Sequence, residues 1–325
     1  MAYPFFRRLK NEGEKLVRMK RTYLLLLGLG LLFLVQAGGV AWSQVTERVS
    51  VDSAGAQVDD PSYSPSISGD GRYVTFESIS PDLVASDGNG KVDIFVHDRD
   101  FDGNGTYDEP GPGGISTVRV SVASGGGEGS DDSHYPSISA DGMHVAFESS
   151  ANDLVAVDIN ALSDMFVHDL LGGTTTLVSV DSAGVQDPIP SSSTSPSLSS
   201  DGRYVAFQSD AVLVASDTNG IVDIFVHDRD FDGDGTYDDP GPGGISTVRV
   251  SVDSAGAQVD DPSYSPSISA DGRYVAFEST SPDLVAGDGN GKFDIFFYDR
   301  DFYGNGTYDE PGPGATTTVL SSLHI

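Results

Sequence analysis

The stretch Pro65-Ser66-Ile67-Ser68-Gly69-Asp70-Gly71-Arg72-Tyr73-Val74-Thr75-Phe76-Glu77-Ser78 decides the fold. From Arg72 to Ser78 apolar and polar residues alternate, the period of a β-strand with one face in a core. The Asp70-Gly71 pair just before it is a strong two-residue hairpin signal, because glycine accepts the positive φ such turns require. A closely matching phrase begins again at Pro136, Pro196 and Pro266, at intervals of 71, 60 and 70 residues. Self-similarity of this kind marks a repeat architecture and has to be read before any local assignment.

Working outward, each unit continues with Leu-Val-Ala, an Asp-x-Asn turn and a second strong strand. That strand is Asp93-Ile94-Phe95-Val96-His97-Asp98 in the first unit, with counterparts starting at Asp164, Asp223 and Asp294. A further strand follows, Ser116 to Val122 in the first unit. Four short antiparallel strands per unit, joined by Gly, Asp and Pro turns, make a β-propeller blade pattern. A single blade cannot bury both faces, so the blades must stack, with Ile, Val and Phe of the middle strands between them. The expected fold is therefore all-β: a propeller of about four four-stranded blades, closed into a ring or left as an open arc. It spans 44–323, with units at about 62–122, 133–180, 193–252 and 263–323. Residues 45–53 read as an outermost strand with no blade before it, able to complete the last blade and close the ring. Around 316–323 the Arg-Val-Ser-Val pattern has become Leu320-Ser321-Ser322-Leu323, which fits either such a swap or a truncated array.

The phrase Pro-Ser-Ile-Ser-x-Asp-Gly-Arg-Tyr-Val-Ala-Phe-Glu-Ser, followed by Asp-Ile-Phe-Val-His-Asp, resembles the WD40-like PD40 repeat of TolB-type propellers. The resemblance covers nearly all of 45–323. It implies the fold; it says little about function, because one fold hosts many sites.

Residues 1–43 read as a secretory signal peptide. Arg18, Lys20 and Arg21 flank an apolar run from Leu24 to Val35, and Ala41-Trp42-Ser43 supplies small residues before Gln44. An uncleaved anchor is the alternative, although the run is shorter than the ~20 residues of a spanning helix. Met19 is a candidate start, since Met19-Lys20-Arg21 leads straight into the leucines. The leader holds seven of the 18 basic residues and two of the 49 acids, leaving 11 and 47, a formal charge of −36. Such a chain should attract cations and repel nucleic acid and anionic membrane surfaces. The absence of cysteine excludes disulfides and thiolate metal sites. An exported protein, periplasmic or extracellular, is expected.

The sharpest chemical motif lies between the third and fourth strands. Asp98, Asp100 and Asp102 alternate ahead of Gly103, with Asn104, Thr106 and Glu109 following, in the spacing of a twelve-residue calcium loop. Alternating acids around a tight glycine deliver the six to eight oxygens that calcium wants. Unit three repeats the series as Asp228, Asp230, Asp232, Asp234, Thr236 and Asp239, with a shorter last ligand. Unit four places Tyr303 among Asp299, Asp301 and Glu310, and should bind poorly. Unit two has only Leu170-Leu171-Gly172-Gly173. Calcium is the expected cofactor, and a solvated acidic turn is the plain alternative.

A second recurrent set, Asp87/Asn89/Asp93 with Asp158/Asn160/Asp164, Asp217/Asn219/Asp223 and Asp288/Asn290/Asp294, reads as turn capping before a strand. His97, His168 and His227 hold one place in the third strand, where Tyr298 stands in unit four, so they read as packing residues. No Gly-x-Ser-x-Gly elbow, phosphate loop or His-Glu-x-x-His occurs. The expectation is a binding or scaffold module without catalysis, its protein or glycan partner on a propeller face. A hydrolase or lyase with a site in the central funnel is the alternative.

Overall fold

The computed structural model describes residues 46–310, apart from 110, 112, 161, 240 and 242, together with the backbone of 317–320. The leader expected at 1–43 lies outside the described residues. Four sheets of four antiparallel strands follow one another along the chain. The first contains β1 (Ser62–Ile67), β2 (Tyr73–Ser78), β3 (Asp93–Asp98) and β4 (Ser116–Arg119). The second contains β5 (Ser133–Ile138), β6 (His144–Ser149), β7 (Asp164–Asp169) and β8 (Thr174–Leu177). The third contains β9 (Ser193–Leu198), β10 (Tyr204–Ser209), β11 (Asp223–Asp228) and β12 (Ser246–Arg249). The fourth contains β13 (Ser263–Ile268), β14 (Tyr274–Ser279), β15 (Asp294–Asp299) and β16 (Thr317–Leu320). Each sheet is a meander in chain order, the blade of a β-propeller.

The first strands of consecutive sheets touch one another and form the inner edge of the stack. Each carries a bulge, as between Tyr63 and Ser66 in β1. The residue before the proline holds a positive φ there: 50° at Ser64, 52° at Tyr135, 59° at Ser195 and 53° at Ser265. Proline cannot donate to a ladder, and a bulge is where a strand tolerates it.

The turn after each inner strand is not the two-residue hairpin that Asp-Gly suggested. Ser68 N–H pairs with the Tyr73 carbonyl (2.9 Å), leaving a four-residue loop. Side chains select the longer loop: Ser68 Oγ donates to Asp70 (2.7 Å) and accepts from Tyr73 N–H (2.9 Å), while Asp70 accepts from Arg72 N–H (2.9 Å). Gly71, at φ 76°, closes the turn.

The apolar core lies between sheets. Ile94, Val96 and Val120 of the first unit meet Val145, Phe147 and Phe166 of the second. Met165 and Val167 meet Val205, Phe207 and Phe225, and Ile224 and Val226 meet Val275, Phe277 and Phe296. Full burial of such side chains contributes about 1.5–3 kcal/mol each.

Residues 46–53 form no strand of the fourth sheet among the described residues. The stretch is instead the lead-in to the first sheet. Val51 bridges to Gln57, and its carbonyl accepts from Thr117 Oγ1 (2.6 Å) on β4. The same attachment recurs at Val122 to Thr175 on β8 and at Val180 to Thr247 on β12 (2.6 Å). Each threonine also bonds a buried histidine: His97 (2.9 Å), His168 (2.9 Å) and His227 (2.8 Å). Because the threonine proton goes to the carbonyl, the histidine Nδ1–H is the donor in that pair. Burial pushes the pKa of all three histidines down, to about 4 at His227, and keeps them neutral.

Candidate metal loops and buried carboxylates

The expected first calcium ligands are committed elsewhere. Arg72 clamps both oxygens of Asp98 at 2.7 Å, and Arg203 clamps Asp228 at 2.7 and 2.8 Å. Arg273 does the same to Asp299. The loop is organised around the next acid instead. Asp100 accepts the N–H of Gly105 (3.1 Å), Asp230 that of Gly235 (3.2 Å) and Asp301 that of Gly306 (3.1 Å). The second acid of each series thus gathers the loop backbone.

In unit three Asp230, Asp232 and Asp234 come together. One carboxylate oxygen from each lies within 4.8 Å of the others, so the trio could hold a metal ion. Asp230 is buried and the other two face solvent. Thr236 serves through its N–H, which donates to Asp234 (2.7 Å), and Asp239 caps the following turn through Gly241 N–H (3.0 Å). In unit one Asn104 replaces the third aspartate. Its amide donates to Asp102 (3.0 Å) and Glu109 (2.5 Å), and its carbonyl accepts from Thr106 N–H (2.8 Å). Among the described residues only the unit-three loop forms such a trio.

A repeated arginine clamp holds these loops on their blades. Arg99 binds Asp108 (2.5 Å) and the Gly71 carbonyl (2.8 Å), and lies over the Tyr107 ring at 5.0 Å. Arg229 with Asp238, Gly202 and Tyr237 repeats the arrangement, as does Arg300 with Asp309, Gly272 and Tyr308. Two-pronged arginine–carboxylate pairs are both strong and orienting, so the loop backbone is set by the protein itself.

The second recurrent set is more than turn capping. Asn89 does cap its turn through Lys91 N–H (2.8 Å), but Asp87 and Asp93 are buried together around Arg119. Arg119 lies 3.3 Å from Asp87, 3.2 Å from Asp93 and 2.9 Å from Glu128. Arg249 plays this part between Asp217 (3.4 Å) and Asp223 (3.2 Å). Unit two keeps Asp158 and Asp164 but has Leu177 at the arginine's place in the ladder, since Phe166 pairs with Leu177 as Phe225 pairs with Arg249. There the Gln186 amide bridges the acids, at 3.1 and 2.7 Å, and Ser179 donates to Asp164 (2.7 Å). Burial raises Asp164 to about 7, with the Asp158 charge adding to it. Burial also lifts Asp87 and Asp223, to about 6 each. Sequence reasoning missed Arg119 and Arg249 because each stands 26 residues from its acid. Their signal is the Val-Arg pair ending the fourth strand of units one and three only.

No family model matches this sequence, and no curated protein matches it. Solved structures it resembles are TolB-type and other β-propeller proteins. TolB from Acinetobacter baumannii is 16% identical, with a TM-score of 0.37 over 74% of this chain and 41% of that one. The β-propeller domain of the Trilobed protease from Pyrococcus furiosus, described as having an open velcro topology, is 10% identical, with a TM-score of 0.39 over 83% and 59%. An oligogalacturonate lyase in complex with manganese is 11% identical, with a TM-score of 0.39 over 75% and 52%. The chain thus spans less than two thirds of the length of each. The expectation of a chain without catalysis is corrected by this set: it contains a lyase and a protease's propeller, so blade architecture gives no ground for excluding an enzyme.

Proposed function

We propose that the chain is an exported β-propeller binding and scaffold module whose unit-three hairpin loop takes up calcium. The observation that carries this is the approach of Asp230, Asp232 and Asp234 to metal-holding distance on a loop already shaped by the Arg229 clamp. Three carboxylates on one turn, two of them facing solvent, suit a hard cation that prefers oxygen ligands. Extracellular calcium modules work at Kd of about 10⁻⁴–10⁻³ M, which matches a site of this openness. The Asp100, Asp102 and Glu109 loop of unit one is the weaker counterpart, since an amide nitrogen stands where the third acid would. A cleft of about 550 Å³ beside the loop, lined by Phe231, Tyr308, Arg203 and Glu310, offers aromatic and charged groups to a protein or glycan partner. The test is calcium titration by calorimetry and thermal melting, with Asp232→Ala/Asp234→Ala alongside. We expect a calcium-dependent rise in melting temperature that this variant loses. Identical melts in calcium and chelator would reduce the loop to a hydrated turn.

A further inference from the structure

Three of the four units carry the same tyrosine and arginine on the loop after the third strand, and unit two carries neither. In unit three the Tyr237 hydroxyl donates to the Asp201 carbonyl (3.1 Å) and the Arg229 guanidinium to the Gly202 carbonyl (2.9 Å). Unit four repeats this with Tyr308 on Asp271 (3.1 Å) and Arg300 on Gly272 (2.8 Å). Unit one does so with Tyr107 on Asp70 (3.3 Å) and Arg99 on Gly71 (2.8 Å). The loop also reaches the preceding blade: the Tyr237 ring lies 5.3 Å from His144, and the Tyr308 ring 5.6 Å from Tyr204. Unit two has only Leu170-Leu171-Gly172-Gly173 there, without a ring or a cation.

The turn that those donors serve is nonetheless intact in unit two. Ser139 N–H pairs with the His144 carbonyl (2.9 Å), as Ser269 N–H pairs with that of Tyr274 (2.8 Å). Gly142 lies against the Tyr73 ring as Gly272 lies against that of Tyr204. The Asp141 and Gly142 carbonyls therefore stand in acceptor places whose donors the unit-two loop does not supply. Leu170 takes the arginine's place: its N–H donates to Met143 O (2.8 Å), as that of Arg300 donates to Arg273 O (3.0 Å). Met143 thus replaces a second arginine.

A groove of about 210 Å³ opens at this point between the first two blades. One wall copies unit three, with Tyr73, Phe101 and Val118 where Tyr204, Phe231 and Val248 stand. The other wall is Met143, Leu170 and Leu171 in place of the unit-four loop with Arg300 and Tyr308. The groove is open to solvent: Leu171 is 86%, Phe101 57% and Val118 44% exposed, whereas Val248 packs on the apolar core of its own junction. Asp169, the counterpart of the clamped Asp98 and Asp228, accepts from Leu171 N–H (2.8 Å) and Gly172 N–H (3.0 Å) in place of an arginine.

We propose that this groove docks a segment of a partner protein that presents a tyrosine flanked by arginine or lysine. The ring lies on Tyr73, and its hydroxyl donates to the Asp141 carbonyl, as Tyr308 does beside Tyr204. The occupant is aromatic because this chain fills the equivalent place with its own tyrosine at the next two junctions. It is basic because unit two lacks both arginines, Asp141 and Asp169 stand beside the groove, and the chain carries a formal charge of −31. Walls of Val118, Met143 and Leu171 offer a sugar few hydrogen-bonding groups. This inference rests on the reading of the chain as a binding module, but its site is separate from the unit-three loop and from the cleft beside it.

The test is a titration of the full chain with the end-blocked peptide Arg-Arg-Tyr-Arg-Arg, read by saturation-transfer NMR on the tyrosine ring. It is run in millimolar calcium, where the metal loop is either filled or inert, so failure here is separate from failure of the calcium reading. We expect saturable binding that weakens with salt. Phenylalanine in place of the peptide's tyrosine should weaken it about three- to tenfold, the worth of one hydrogen bond. Glutamates in place of its arginines should weaken it by at least about tenfold. Leu171→Lys, at an exposed position, should do the same, and replacing residues 170–173 by residues 229–245 should abolish binding by filling the groove from within the chain. If that graft fails to fold, Leu171→Lys decides alone. No binding at millimolar peptide would overturn the proposal, as would undiminished binding by Leu171→Lys or equal binding of the phenylalanine or glutamate peptide. Saturable binding of maltohexaose that Leu171→Lys abolishes would overturn it in favour of a glycan. A two-chain mass by light scattering that Leu171→Lys reduces to one chain would overturn it in favour of a second copy.

Discussion

Units two and three keep the same pair of buried acids before the third strand and neutralise them by different means. In unit three Arg249 sits between Asp217 and Asp223, its side chain almost wholly enclosed. In unit two a leucine stands in that register, and Asp158 and Asp164 share the amide of Gln186. The difference teaches that the repeat conserves a geometry rather than a charge balance. A buried carboxylate pair can be held by a guanidinium, or by a proton together with a neutral donor. The second solution leaves Asp164 titrating near 7 and makes the blade sensitive to pH.

The largest effect should come from making unit three resemble unit two. Arg249→Leu strands Asp217 and Asp223 without a cation. Removing one partner of a buried ion pair costs about 3–5 kcal/mol. Urea unfolding at pH 8 should show that loss as a lower midpoint, with a smaller loss at pH 5, where the acids can take up protons.

A smaller effect of opposite sign is expected for Asp164→Asn. The folded pKa of Asp164 lies above the unfolded value of about 3.9. Its contribution to stability is therefore full below about pH 4 and is lost as pH rises through about 7. Asparagine can still accept from Ser179 and carries no charge to desolvate. The variant should be more stable than the parent at pH 8 by about 2–4 kcal/mol and nearly equal to it at pH 4, read from unfolding curves across that range.

The smallest net change should follow Leu177→Arg, which installs the unit-three solution in unit two. Desolvating a guanidinium largely offsets its attraction to the acids, so stability at pH 8 should move by less than about 1 kcal/mol. The signature is instead the titration: carboxyl resonances of Asp164 should move down from about 7 toward the value of about 6 that Asp223 holds beside Arg249. An unchanged Asp164 titration would show that position 177 does not govern the pair.

Much of this was legible in one dimension. The alternation in Tyr73–Ser78 and the apolar run Ile94-Phe95-Val96 placed the middle strands, and the recurrence of the Pro-Ser-Ile-Ser phrase placed the blades. The acid-rich hairpin tips were legible as candidate metal loops. The arginine pairs on Asp98 and Asp228 were not, because Arg72 and Arg203 lie about 25 residues away along the chain. The buried acids looked like turn caps for the same reason: their partners Arg119 and Arg249 lie on another strand of the sheet.

The sequence by itself determined the strand period, the four-unit repeat and the strongly acidic balance of the chain, because each of these is a local or periodic property that needs no distant partner. Only the tertiary structure decided which acids are clamped, which approach one another and which titrate near neutrality. It also decided that 46–53 feeds the first blade and that the groove beside Tyr73 stays open. Those outcomes rest on side chains brought together from distant positions, where burial and charge pairing set the energies and spacing along the chain carries no information about either.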